Sequence, residues 1–121
     1  MQGIKIYDMR KEGYEKLHID DSWCVASVCH CERIAKATKQ RMERHLETDE
    51  VFVLLHGNAK LYLGEEMEEI AMQECQIYSV DRGTWHTITT EPGTKVLIIE
   101  KSNTGPANTE YWRNLQNDSK V

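Results

Sequence analysis

Between residues 23 and 100 the chain is cut into short runs rich in β-branched and aromatic residues, with turn residues between one run and the next. A spacing of about eight to twelve residues between turns is how an all-β sandwich or barrel reads. The runs predict strands over 23–31, 51–55, 59–63, 69–72, 77–80, 85–89 and 95–100. His56-Gly57-Asn58 is a hairpin signal, because Gly57 and Asn58 both tolerate positive φ. Gly64-Glu65-Glu66, Arg82-Gly83 and Glu91-Pro92-Gly93 mark further turns, so antiparallel pairing is expected.

Two segments break the pattern. Residues 33–47 are rich in Ala, Lys, Gln, Arg, Met and Glu, all good helix formers. A helix would separate His45 from Glu50, since helical neighbours lie three and four apart. An extended chain would put Glu43 and His45 on one face and let the next strand present Glu50 nearby. The dense β pattern on both sides favours the extended form. The tail 102–121 is polar, with a break at Gly105-Pro106. It reads as helical or irregular, with Tyr111, Trp112 and Leu115 at helical spacing to anchor a short helix over 108–115.

A length of 121 residues leaves room for one domain. We divide it into an N-terminal strand or arm over 1–22, a barrel over 23–101 and a tail over 102–121 that packs on the barrel. The net charge of -5, with basic residues scattered, lacks the footprint of a nucleic-acid binder. The longest apolar run, 51–55, is far too short to cross a bilayer. No apolar signal core opens the chain, so a cytoplasmic address is expected, with Cys24, Cys29, Cys31 and Cys75 reduced. Cys29-His30-Cys31 looks like a metal fragment, but its residues alternate across a strand and read as packing.

Among the five histidines, those with carboxylate company carry the chemistry: Glu43, His45, Glu50 and His86. Imidazole with carboxylate suits divalent transition metals. A lone histidine is more often a packed or surface residue, which is how His18, His30 and His56 are read. Of these, His56, just before Gly57, lies nearest the expected site. Trp85, beside His86, is expected to edge the pocket, and the acidic run Glu65, Glu66, Glu68 and Glu69 to be a solvated turn and strand edge.

The stretch ERHLETDEVFVLLHG, from Glu43 to Gly57, resembles the first sequence motif of the cupin family. There a His-x-His pair is followed by a Glu and then a Gly. Here His45 stands at the second His, Glu50 at the Glu and Gly57 at the Gly, while Glu43 replaces the first His. Asp81-Arg82-Gly83-Thr84-Trp85-His86 resembles the second motif at Gly83 and His86, with Asp81 where Pro is usual. Cys75 stands where the family commonly has Gly.

The resemblance implies an all-β fold, a small cupin-type jelly-roll β-barrel with a pocket at one mouth. It implies a metal held by Glu43, His45, Glu50 and His86. The second carboxylate hardens the set and tilts it towards manganese, iron or zinc. Alternation puts Glu50 on the face of Phe52 and Leu54, and His86 on that of Ile88. An enzyme of this kind would be a metal-dependent isomerase, lyase or dioxygenase acting on a small molecule. Glu43 or Glu50, whichever the metal leaves free, would serve as general base. The alternative is a metal-free, non-catalytic cupin that binds a small molecule or carbohydrate. By resemblance a homodimer is expected, with neither nucleic acid nor membrane as partner.

Overall fold

The computed structural model describes residues 2–36 and 41–112. Ten strands follow one another: β1 (Gly13–Ile19), β2 (Cys24–Cys29), β3 (Met42–His45), β4 (Glu50–His56), β5 (Ala59–Leu63), β6 (Glu68–Ala71), β7 (Ile77–Val80), β8 (His86–Thr90), β9 (Lys95–Glu100) and β10 (Thr109–Trp112). Short 3-10 turns occupy Glu32–Ile34 and Pro106–Asn108. The strands build two five-stranded antiparallel sheets, ordered β1-β2-β9-β4-β7 and β10-β3-β8-β5-β6.

Every strand expected from the sequence is present, with ends differing by a residue or two. Period-two burial explains why these runs are strands: in β4, Glu50, Phe52 and Leu54 are buried while Val51 and Val53 face outward. Ala26, Val28, Phe52, Leu54, Leu61, Val96 and Ile98 meet between the sheets as the core. Full burial of such a side chain is worth about 1.5–3 kcal/mol for Val and larger residues.

Gly57 turns the β4–β5 hairpin at φ +93. A Cβ there would stand 2.7 Å from Thr94 Cα, so the position needs glycine for space as well as for conformation. The same approach lets Thr94 Oγ1 accept from Asn58 N and donate to Asn58 O, both at 2.9 Å. Cys75 adopts φ +67, so the position where the family commonly has Gly is a left-handed turn here too.

Around 33–47 the extended reading holds where the chain is described: beyond the turn at Glu32–Ile34, Met42–His45 is a strand, while 37–40 lie outside the described residues. The tail differs from expectation. In place of a helix over 108–115, Thr109–Trp112 forms β10, with 113–115 outside the described residues. The reason is a sheet edge: β3 would otherwise expose its backbone groups, and β10 covers them in the register Thr109↔His45, Tyr111↔Glu43. Arg44 and Glu110, opposite each other in this pair, close a 2.6 Å ion pair. Trp112 packs on Trp85 with ring centroids 5.8 Å apart, and the Arg44 guanidinium lies 4.5 Å above Trp85. Trp85 therefore does not edge the pocket. It precedes His86 by one residue, and alternation turns the two side chains apart. No helix among the described residues is long and apolar enough to cross a membrane.

Candidate metal centre

Glu43 and His45 leave β3 on one face, two residues apart. His86, the first residue of β8, sits directly opposite Glu43 in the same sheet. Glu50 begins β4 in the other sheet, so its carboxylate reaches the cluster from across the sandwich. The turn before His86 is fastened in place: Gly83 N donates to His45 O at 2.8 Å and Arg82 N to Asp49 Oδ1 at 2.7 Å. Gly83 adopts φ +80, which explains glycine at that position.

The structure thus brings all four residues together, with one ligand atom of each within 4.8 Å of the others. Both imidazole Nε2 atoms converge on a single carboxylate oxygen, Glu50 Oε1, at 3.0 Å from His45 and 2.8 Å from His86. Glu43 Oε1 stands further back, 3.7 Å from His45 Nε2 and 3.9 Å from His86 Nε2. His45, Glu50 and His86 are buried, while the Glu43 side chain keeps 37% of its surface exposed.

The far side of each ring is held as well. His86 Nδ1 donates to Thr84 O at 2.9 Å, and His45 Nδ1 bonds Thr109 Oγ1 at 2.9 Å. A carbonyl only accepts, so His86 carries its proton on Nδ1 and, when neutral, directs the Nε2 lone pair into the cluster. That orientation suits metal ligation. Two buried imidazoles and two carboxylates, one freely approached from the cavity, form a donor set able to hold a metal ion.

Electrostatics bind the four into one unit. Burial alone would raise the Glu50 carboxyl, but hydrogen bonds and charge from His45 and His86 outweigh it and hold the group at about 2. Burial likewise presses both imidazoles downward, yet the Glu50 contact more than offsets it and both are raised. Glu43 is raised by burial and by Glu50, against the pull of His86 and His45.

Sequence reasoning missed three residues around this cluster. Thr109 arrives with β10. Glu100, buried at the end of β9, accepts from the Tyr14 hydroxyl at 2.6 Å. Alternation held the signal for Glu100, because Val96 and Ile98 point inward and Glu100 continues their face. The carboxyl is raised to about 7 by burial and by the Glu50 charge beside it. The cluster opens into a cavity of about 620 Å³ whose wall includes Tyr14, Phe52, Ile88, Ile98, Glu100 and Tyr111.

The remaining histidines lie apart from the cluster. His56 is exposed, His18 packs on Trp23 at 5.1 Å, and His30 Nδ1 bonds Thr90 Oγ1 at 2.8 Å. Cys29 and Cys31 are free thiols.

No protein-family model and no curated protein matches the sequence. Solved structures do match. A variant of Pac13 from Streptomyces, with uridine, is similar at a TM-score of 0.65 and 11% identity, over 89% of this chain and 87% of that one. Pac13 is described as a nucleoside dehydratase. KdgF from Halomonas sp. is similar at a TM-score of 0.56 and 11% identity, over 75% of this chain and 80% of that one. A cupin-2 domain protein from Shewanella frigidimarina is similar at a TM-score of 0.52 and 19% identity, over 76% and 83%. Identities this low speak for architecture, and together with the two antiparallel sheets they show that the chain folds as a small cupin-type jelly roll.

Proposed function

We propose that Glu43, His45, Glu50 and His86 hold one divalent transition metal ion, of the manganese, iron or zinc class, and that the cavity admits a small polar molecule to it. The observation that carries this reading is the convergence of two ring-anchored Nε2 atoms on one buried carboxylate. When bound, such an ion supplies Lewis acidity towards a carbonyl or enol oxygen, or a site for O2 chemistry. The chain's own residues divide the remaining work. His45 and His86 are fixed ligands, and Glu50 binds between them from the opposite sheet. Where the ion leaves Glu43 free, it is the better placed of the two carboxylates to act as general base: it stands furthest back, reaches the cavity, and its proton affinity is raised by burial and by Glu50. Phe52, edge-on to the His86 ring at 5.9 Å, and Ile88 keep the wall apolar around these groups. The likeness to a Pac13 structure with uridine supports a small polar ligand, and an isomerase, lyase or dioxygenase reaction fits the set.

Elemental mass spectrometry on untagged protein, purified without chelator, tests the reading. About one transition metal per chain is the expected result. No metal, and no uptake of manganese, iron(II) or zinc when offered, would overturn it in favour of a metal-free binder.

The outer face of the sheet containing β4 and β9 supports a homodimer. Its register lines up Ile99 with Val51, and Leu97 with Val53 and Ile77, in an apolar strip that leaves Ile77 74% exposed. Light scattering should give twice the 14.1 kDa chain mass, and Ile77→Lys with Ile99→Lys should return the monomer. A monomeric wild type would sink the assignment. The four free thiols suit a cytoplasmic location.

A further inference from the structure

Beside the metal cluster, the cavity holds a second polar group that the proposed ligation does not use. Glu100 is 6% exposed, and its Oε1 accepts from Tyr14. Its Oε2 is buried and meets no donor group; the polar side chain beside the Glu100 carboxyl is Glu50, itself a carboxylate. The nearby Lys16 ammonium does not answer it, being directed to the backbone carbonyls of Ser102 and Thr104 at 3.1 and 3.0 Å. A buried acceptor without a donor is costly, and one that lines a ligand-sized cavity is explained by a donor that arrives with the ligand. Continuing the β4–β9 register past Val51↔Ile99 sets Glu100 beside Glu50. A group reaching Glu100 therefore lies next to the metal position. A ligand hydroxyl can donate to Oε2 and still offer a lone pair towards that position, which an ammonium cannot.

The same cavity is lined by Arg33 and Arg41. Neither has a carboxylate within ion-pair distance among the described residues. Arg41 is oriented by stacking 3.8 Å over the Tyr111 ring. Arg33 lies over Gly13, where a Cβ would come within 3.3 Å of its guanidinium. Guanidinium groups held this way match the planar geometry of carboxylate and phosphate oxygens.

We propose that the cavity is a two-ended site for a small hydroxylated anion, with a ligand hydroxyl at Tyr14 and Glu100 and its carboxylate or phosphate at Arg33 and Arg41. This deepens the reading of a metal-binding pocket and rests on it. Titration calorimetry on metal-loaded protein with D-glucuronate, D-glucose 6-phosphate and D-glucose tests it. At least one anion should bind about tenfold or more tightly than glucose, and the tighter of the two identifies carboxylate or phosphate as the anionic end. Arg41→Gln and Glu100→Gln should each weaken that anion about tenfold while metal content and the near-ultraviolet circular dichroism of the folded protein stay at wild-type values. Equal binding of glucose and the anions, no effect of either substitution, or no binding of any of the three overturns the proposal. A protein that takes up no metal yet still separates the anions from glucose would sink the metal reading and leave the two-ended site standing.

Discussion

Glu50→Gln is expected to take bound metal from about one per chain to below detection, a loss in affinity of at least about 100-fold, with the fold intact. Glu50 is the only member of the cluster that hydrogen-bonds both imidazoles, through one oxygen, and it alone comes from the opposite sheet. An amide of the same shape keeps the packing but removes the charge and replaces a strong ligand by a weak one. Even groups that only orient a metal ligand are worth about 10–100-fold in affinity, so a direct ligand should exceed that. Thr109→Val, which removes the partner of His45 Nδ1, should fall within the smaller range. Metal content by elemental mass spectrometry, read beside near-ultraviolet circular dichroism, checks both. A full equivalent of metal retained by folded Glu50→Gln protein would show that the ligand set is wrongly assigned.

The strands from β4 to β9 were legible because apolar alternation and turn residues agree there, and Gly57 and Gly83 occupy the turns where only glycine is at ease. The same alternation placed Glu50 with Phe52 and Leu54 on the buried face. Bringing four residues from three strands together required the motif resemblance, because spacing in sequence says nothing of which strands become neighbours. β3 was ambiguous because its residues favour a helix, and sheet pairing with β8 and β10 overrides that propensity. β10 was read as a possible helix from the spacing of Tyr111, Trp112 and Leu115. Its partner lies some 65 residues away in β3, a long-range contact that local pattern cannot report. Thr109 was missed with it. Glu100 was missed for a different reason: a charged residue closing an apolar strand looks like its solvated end, whereas here it continues the inner face.

Chelated and metal-loaded protein should differ little in melting temperature at pH 5 and by about 15 °C at pH 8. In the chelated form the imidazoles of His45 and His86 are raised by Glu50, despite burial. Their contribution is fully present below the unfolded value of 6.5 and is lost as pH rises through the folded values. Glu100, raised from 4.5 to about 7 by burial and by Glu50, acts in the same direction: the folded state holds its proton more tightly, so stability declines as pH climbs across that interval. Glu50 opposes them only at the acid end, where its stabilisation disappears as pH falls from 4.5 towards about 2. Metal-free protein should therefore be most stable near pH 4.5 and weaken as pH rises from there towards 8, with Glu43, also raised, adding to the decline. Metal binding needs both imidazoles neutral and so strengthens over the same range. At a thousandfold excess over Kd it adds about 4 kcal/mol, which at about 4 °C per kcal/mol yields the expected gap. Melting curves from pH 4 to 8, with and without chelator, measure both trends. A gap that does not change with pH would mean that metal and protons do not compete for His45 and His86, and that the ion binds elsewhere. A flattened chelated curve in Glu100→Gln protein would isolate the share that belongs to Glu100, since the amide cannot titrate.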